Sequence, residues 1–161
     1  MTKTLVLGKQ TVALTINEVI RRYETSNQAE GKSPRTIAWY TEILMSFSNY
    51  MEKELQCHDL PAFNIDAVRS YIIYLQNKPK FQGHPYTPQQ NKLLSPRTVQ
   101  CHVRALKAFS TWLYLEGYTP ENRLQNLKLP KAPSKIIEPL TSQEIKKVVK
   151  QYQQEFIQRR T

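Results

Sequence analysis

The sequence predicts an all-α protein, on three observations. Apolar residues recur at steps of three and four along nearly the whole chain, the spacing of helices that bury one face. Only four glycines occur among 161 residues, too few for a turn-rich β architecture or a glycine-rich phosphate loop. Helix-start signals stand ahead of the periodic segments, chief among them the tetrapeptide Ser-Pro-Arg-Thr, present at residues 33–36 and again at 95–98. Ser caps a first turn by accepting a bond from an unpaired amide, and Pro at the next position has its φ pre-set.

The first helix opens at a capping box formed by Thr15 and Glu18 and runs to about Ala29, with Ile16, Val19, Ile20 and Tyr23 on one face. Gly31 ends it and Ser33 caps the second. There Ile37, Tyr40, Leu44, Phe47 and Met51 form a core stripe, widened by Ile43 and Tyr50. Asn64 caps a third helix, Ile65 to about Asn77, that buries Val68, Tyr71, Ile72 and Leu75. Residues 78–94 carry Pro79, Pro85 and Pro88 and fit no helix; a connection of that length is mobile or functional. Ser95 caps the fourth helix, which runs to about Glu116 with Gly117 behind it.

The formal charge is +10 and the pI about 9.7, a balance that suits a polyanionic partner. Its distribution sharpens the point. Between Ala67 and Leu115 there is no Asp or Glu, yet Arg69, Lys78, Lys80, Lys92, Arg97, Arg104 and Lys107 lie there. Ordinary solvated surfaces mix both signs. The fourth helix divides into faces: Val99, Val103, Leu106, Phe109 and Leu113 are apolar, with Trp112 at the flank, and Cys101, Ala105 and Ala108 form a small-residue side. Arg97, Gln100, Arg104, Lys107 and Thr111 make a third, basic side suited to a major groove, where Gln reads a base edge and Arg a guanine or a phosphate. The two Ser-Pro-Arg-Thr starts add free amides and a dipole that favour an anion.

Cys57 and Cys101 sit in no paired spacing, so neither a metal site nor a redox motif is expected, and two reduced thiols suit the cytoplasm. The N-terminal Leu-Val-Leu stretch is too short for a signal peptide, and no apolar run is long enough to span a bilayer, so no membrane partner is expected. No cofactor is implied. Aromatic residues Tyr71, Tyr74, Phe109, Trp112 and Tyr114 are expected in the core rather than on a stacking platform for single strands; Phe81 and Tyr86, beside Lys80 and His84, are the exceptions, either entering a groove or stacking, or standing as exposed loop aromatics. Past Gly117 the periodicity lapses, and Pro130, Pro133 and Pro139 alternate with Lys128, Lys131 and Lys135 in an extended basic linker. A last helix opens at a second capping box, Thr141 with Glu144, and carries Ile145, Val148, Val149, Tyr152 and Phe156 as a stripe without a companion.

Several of these pieces, in this order, resemble the amino-terminal part of the tyrosine recombinases, the phage-integrase type of site-specific recombinase. They are the Ser-Pro-Arg-Thr-Ile start with Tyr40, Leu44 and Phe47 behind it, and Asn-Ile-Asp-Ala-Val-Arg-Ser-Tyr-Ile at residues 64–72. They continue with Leu-Ser-Pro-Arg-Thr-Val at 94–99 leading to Leu106, Phe109, Trp112 and Leu113, then Glu121-Asn122, Leu-Lys-Leu-Pro-Lys at 127–131 and Leu-Thr-Ser-Gln-Glu-Ile at 140–145. The resemblance implies a SAM-like core-binding domain, a four-to-five-helix bundle of two crossed hairpins plus a trailing helix. It implies an N-terminal arm at 1–14, the DNA-binding domain at 15–127, a basic linker at 128–139 and the start of a truncated catalytic domain at 140–161. Double-stranded DNA is the implied partner, with other recombinase protomers a further one. Arg35, Thr36, Arg97, Thr98, Gln100 and Arg104 match the DNA-facing helix starts, Lys32 and Lys107 would serve phosphates, and Lys128, Lys131 and Lys135 would follow the backbone.

Residues 78–94 are longer than the family's compact connection. The family's catalytic set, a Tyr nucleophile with two Arg, a Lys and a His, is expected to be absent. Only Lys146, Lys147, Lys150, Tyr152, Arg159 and Arg160 follow the opening of the catalytic domain, and none of His58, His84 and His102 has an Arg three positions later. The chain is therefore expected to bind duplex DNA for integration or recombination without cleaving it. The alternative is a helical protein-interaction module that uses the C-terminal helix. A helix-turn-helix regulator fits the long helices poorly.

Overall fold

Local cap chemistry decides where each helix begins. In the computed structural model, which describes residues 14–82, 86–133 and 141–158 (without the side chains of 151 and 153–158), helix α1 spans Ile16–Ala29 behind the capping box of Thr15 and Glu18. Helix α2, Pro34–Glu54, starts behind Ser33; α3, Ile65–Asn77, behind Asn64; and α4, Pro96–Leu115, behind Ser95. Helix α5 spans Ser142–Gln158. Gly31 and Gly117, at φ +74° and +75°, turn the chain out of α1 and α4 in the left-handed region that side chains resist. Met1–Ala13, His84, Pro85, Lys135, Pro139, Leu140, Arg159 and Arg160 lie outside the described residues, as does the side chain of Phe156.

The chain is all-α. Among the described residues extended pairing is limited to isolated bridges, Thr15 with Asp59 and Pro79 with Leu93. Helices α1 and α2 form one antiparallel hairpin: Ser48 donates to Asn17 at 2.7 Å, and the Tyr23 and Tyr40 rings meet at 5.7 Å. Helices α3 and α4 form the second, with Tyr71 bonded to His102 at 3.1 Å and Phe63, just ahead of α3, against Phe109 at 5.6 Å. The hairpins join where α2 packs on α3 and α4.

Phe47, Phe63, Tyr71, Leu106, Phe109 and Leu113 are fully buried at that junction, and edge-on ring contacts fill it. Such pairs add about 0.5–1.5 kcal/mol each beyond the area they bury. All five apolar positions read on the fourth helix are buried. Of its small residues Ala105 is buried, with Cys101 and Ala108 half-covered. Both cysteines are free thiols. Tyr114 departs from the core expectation: it lies at the open C-terminal end of α4 and is 48% exposed.

Three features escaped the sequence. A short 3-10 turn, Leu60–Ala62, precedes α3. Arg123 reaches back to it, donating to the Leu60 and Phe63 carbonyls at 2.9 and 2.8 Å. The irregular connection is closed at its base as a two-stranded stem, Lys80 N–H donating to Lys92 at 2.7 Å and Leu94 N–H to Lys78 at 3.1 Å. No helix among the described residues is long and apolar enough to cross a membrane.

Candidate nucleic-acid interface

The repeated tetrapeptide builds the same cap twice. Ser33 Oγ accepts from Thr36 N–H at 3.2 Å, and Ser95 Oγ from Thr98 N–H at 3.1 Å. In each copy the Thr hydroxyl also bonds the Ser hydroxyl at 2.8 Å. Thr36 and Thr98 thus complete the caps, and the Arg of each copy is left exposed.

What these starts lack separates them from the others. Helices α1 and α5 carry their own carboxylate in the first turn, Glu18 and Glu144. Hydrogen bonds from Thr15 and Thr141, backbone amide first, hold both carboxyls below the ordinary carboxylate range. Helix α3 has Asp66, which pairs with Arg69 at 3.1 Å. Neither α2 nor α4 has an acid in its first turn. Their positive dipole ends, each with an arginine, are open to an external anion.

The two starts belong to different hairpins, Arg35 at the start of α2 and Arg97 at the start of α4.

The basic side of α4 has two kinds of residue. Gln100 donates to the Pro130 carbonyl at 2.7 Å, and Lys107 to the Leu127 and Gln125 carbonyls at 2.6 and 3.2 Å. Both side chains strap the exit segment onto the helix, a use their spacing did not disclose. Because Lys107 holds residues 125 and 127 and Gln100 holds 130, that segment runs back along α4 toward its start. Lys128 and Lys131 are thereby carried to the side where Arg104 and Arg97 stand. These four cations are exposed and enter no ion pair among the described residues. Arg104 stands between the two straps on the same face.

Lys32 is occupied elsewhere. Its ammonium donates to Asn27 Oδ1 at 2.6 Å and pairs with Glu30 at 2.7 Å, holding the turn between α1 and α2. The Glu30 carboxyl is lowered by that lysine. An open groove of about 500 Å³, lined by Arg69, Ile72, Ile73, Lys128 and Pro130 among others, borders the exit segment. No His, Cys, Asp and Glu group among the described residues is arranged to hold a metal ion.

No family model matches the chain. Tyrosine recombinase XerA of Thermococcus onnurineus (strain NA1) is 31% identical to it over 135 residues, 83% of this chain and 38% of the relative. The solved integrase from mycobacterium phage Brujita superimposes with a TM-score of 0.53 at 18% identity, over 81% of this chain and 38% of that one, a likeness of fold. The chain thus spans well under half the length of either relative. Along most of its own length the chain is thus homologous to a tyrosine recombinase, and it shares the fold of part of a phage integrase.

Proposed function

We propose that the chain is the core-binding, duplex-DNA-contacting part of a tyrosine recombinase, with strand cleavage belonging to residues of a longer parent chain. The observation that carries this is a set of exposed cations on one side of α4 with no ion pair among the described residues, Arg97 and Arg104 from the helix and Lys128 and Lys131 from the strapped exit segment. Arg35 at the start of α2 supplies a further contact. Phosphate contacts of this kind give affinity and register, and base-edge readout falls to the two arginines of α4. Thr36, Thr98, Gln100, Lys32 and Lys107 support the interface by holding caps, turn and exit segment in place.

The test is a titration of labelled duplex into the chain by fluorescence anisotropy across a range of salt concentrations. Affinity that falls steeply with salt, and duplex preferred over single strand, are expected. Absence of binding at low salt overturns the reading. A second reading, docking of another protein on α5, is favoured by the exposure of Ile145, Val148, Val149 and Tyr152. Binding insensitive to both salt and DNA would support it.

A further inference from the structure

We infer that the stem closing residues 78–94 is a second duplex-contacting element, in which Lys80 and Lys92 grip backbone phosphate beside the start of α4. The inference rests on the duplex-binding reading and adds residues that it does not include.

The geometry begins at the antiparallel bridge of Pro79 with Leu93. One step outward, the Lys80 amide donates to the Lys92 carbonyl at 2.7 Å while the Lys80 carbonyl accepts from Gln90 N–H at 3.0 Å, so the pairing turns irregular there with the two lysine backbones held side by side. Like charges carried on adjoining backbones repel. Both lysines are exposed, and neither has a carboxylate partner among the described residues. Within the stem's own stretch of chain, from Ala67 to Leu115, there is no acid. A short two-stranded stem has little stability to spare for such a repulsion. An anion between the two ammonium groups removes it.

Position selects the anion. The stem ends at Leu94, next to the Ser95 cap, and Arg97 stands two residues further on. Lys80, Lys92 and Arg97 therefore come from one small region at the uncompensated start of α4. Lys78 is a different case: it lies 5.6 Å from the Tyr74 ring and lines a groove with Glu42 and Glu54, so it is left out of the set. The Lys80 ammonium sits 4.9 Å from the Phe81 ring centroid, a contact that leaves its charge at the surface. Several cations with no interspersed acid fit a continuous polyanion such as the duplex backbone, and the stem lengthens the contact beyond the helix.

The experiment uses the full chain and a labelled mixed-sequence duplex, titrated over a range of salt. The double variant Lys80→Gln/Lys92→Gln is expected to bind about tenfold more weakly at low salt, with the salt slope reduced by about two units. Lys80→Arg/Lys92→Arg is expected to bind as the original does. Should the glutamine pair lower the melting temperature, the single change Lys92→Gln decides instead, with a slope reduction of about one. Unchanged affinity and slope in the glutamine variants, while Arg97→Ala still weakens binding, would overturn the stem's role and leave the duplex reading standing. No duplex binding by the unaltered chain would overturn both.

Discussion

The Lys107 ammonium lies 2.6 Å from the Leu127 carbonyl oxygen, and this contact sets the direction in which the chain leaves its helical bundle. With Gln100 holding Pro130 two turns earlier on α4, the exit segment is fixed antiparallel to the helix. A lysine that the family resemblance assigns to phosphate thus directs its charge to carbonyls of its own chain. Under the proposed function its part in DNA binding is indirect, since it positions Lys128 and Lys131.

Lys107→Met should therefore act first on stability. It leaves two carbonyls without their charged donor, a loss of about 1–2 kcal/mol for a partly exposed site. Amide exchange at residues 125–130 should quicken, and the salt slope of duplex binding should stay within a fraction of a unit. A variant that melts normally but loses one unit of slope would return Lys107 to the DNA.

Arg97→Ala and Arg104→Ala should do the reverse. Both side chains are exposed and enter no ion pair among the described residues, so the melting curve should not move. Each change should weaken duplex binding and lower the salt slope by about one unit. Normal binding by both variants would take the interface off α4.

Leu106→Ala probes the opposite face of the same helix. Leu106 is fully buried, and truncation leaves a cavity in the hydrophobic core. A destabilisation of about 2–5 kcal/mol is expected, read as an earlier midpoint in urea unfolding with unchanged steepness. A shift below about 0.5 kcal/mol would contradict the burial of that face.

The helix starts were legible in the sequence because they depend on residues three positions apart. Thr15 with Glu18, Ser33 with Thr36, Asn64 with Ala67 and Ser95 with Thr98 each settle their own cap, and the apolar stripe of α4 follows from its period. The likeness to tyrosine recombinases was legible too, from the order of several individually weak pieces. The division of labour among the basic residues was not. Whether Gln100 and Lys107 point at solvent or at a carbonyl depends on a segment 18–30 residues further along the chain. Arg123 is a stronger case, bonded to carbonyls 60 and 63 residues earlier, and no local pattern reports such a partner. The stem was hidden for the same reason: its pairing is set by the ends of α3 and α4, not by a turn signature.

His102 should make the fold sensitive to mild acid. Its ring bonds the Tyr71 hydroxyl at 3.1 Å, and that hydroxyl bonds Ser46, so the group sits where α2, α3 and α4 meet. Burial, with the nearby Lys78 charge adding to it, pushes the imidazole down to about 4 from an ordinary value of 6.5. Between these values the unfolded chain takes up a proton that the folded one refuses. Stability is therefore fully present above pH 6.5 and is lost as the pH falls toward 4. Glu18, Glu30 and Glu144, all lowered from 4.5, lose their contribution only below that pH, so the histidine acts alone among them in the upper window. The melting temperature should drop by several degrees between pH 7 and pH 5. In His102→Gln, which keeps a polar partner for Tyr71 but does not titrate, that drop should largely vanish. An equal drop in both proteins would place the acid response on another group.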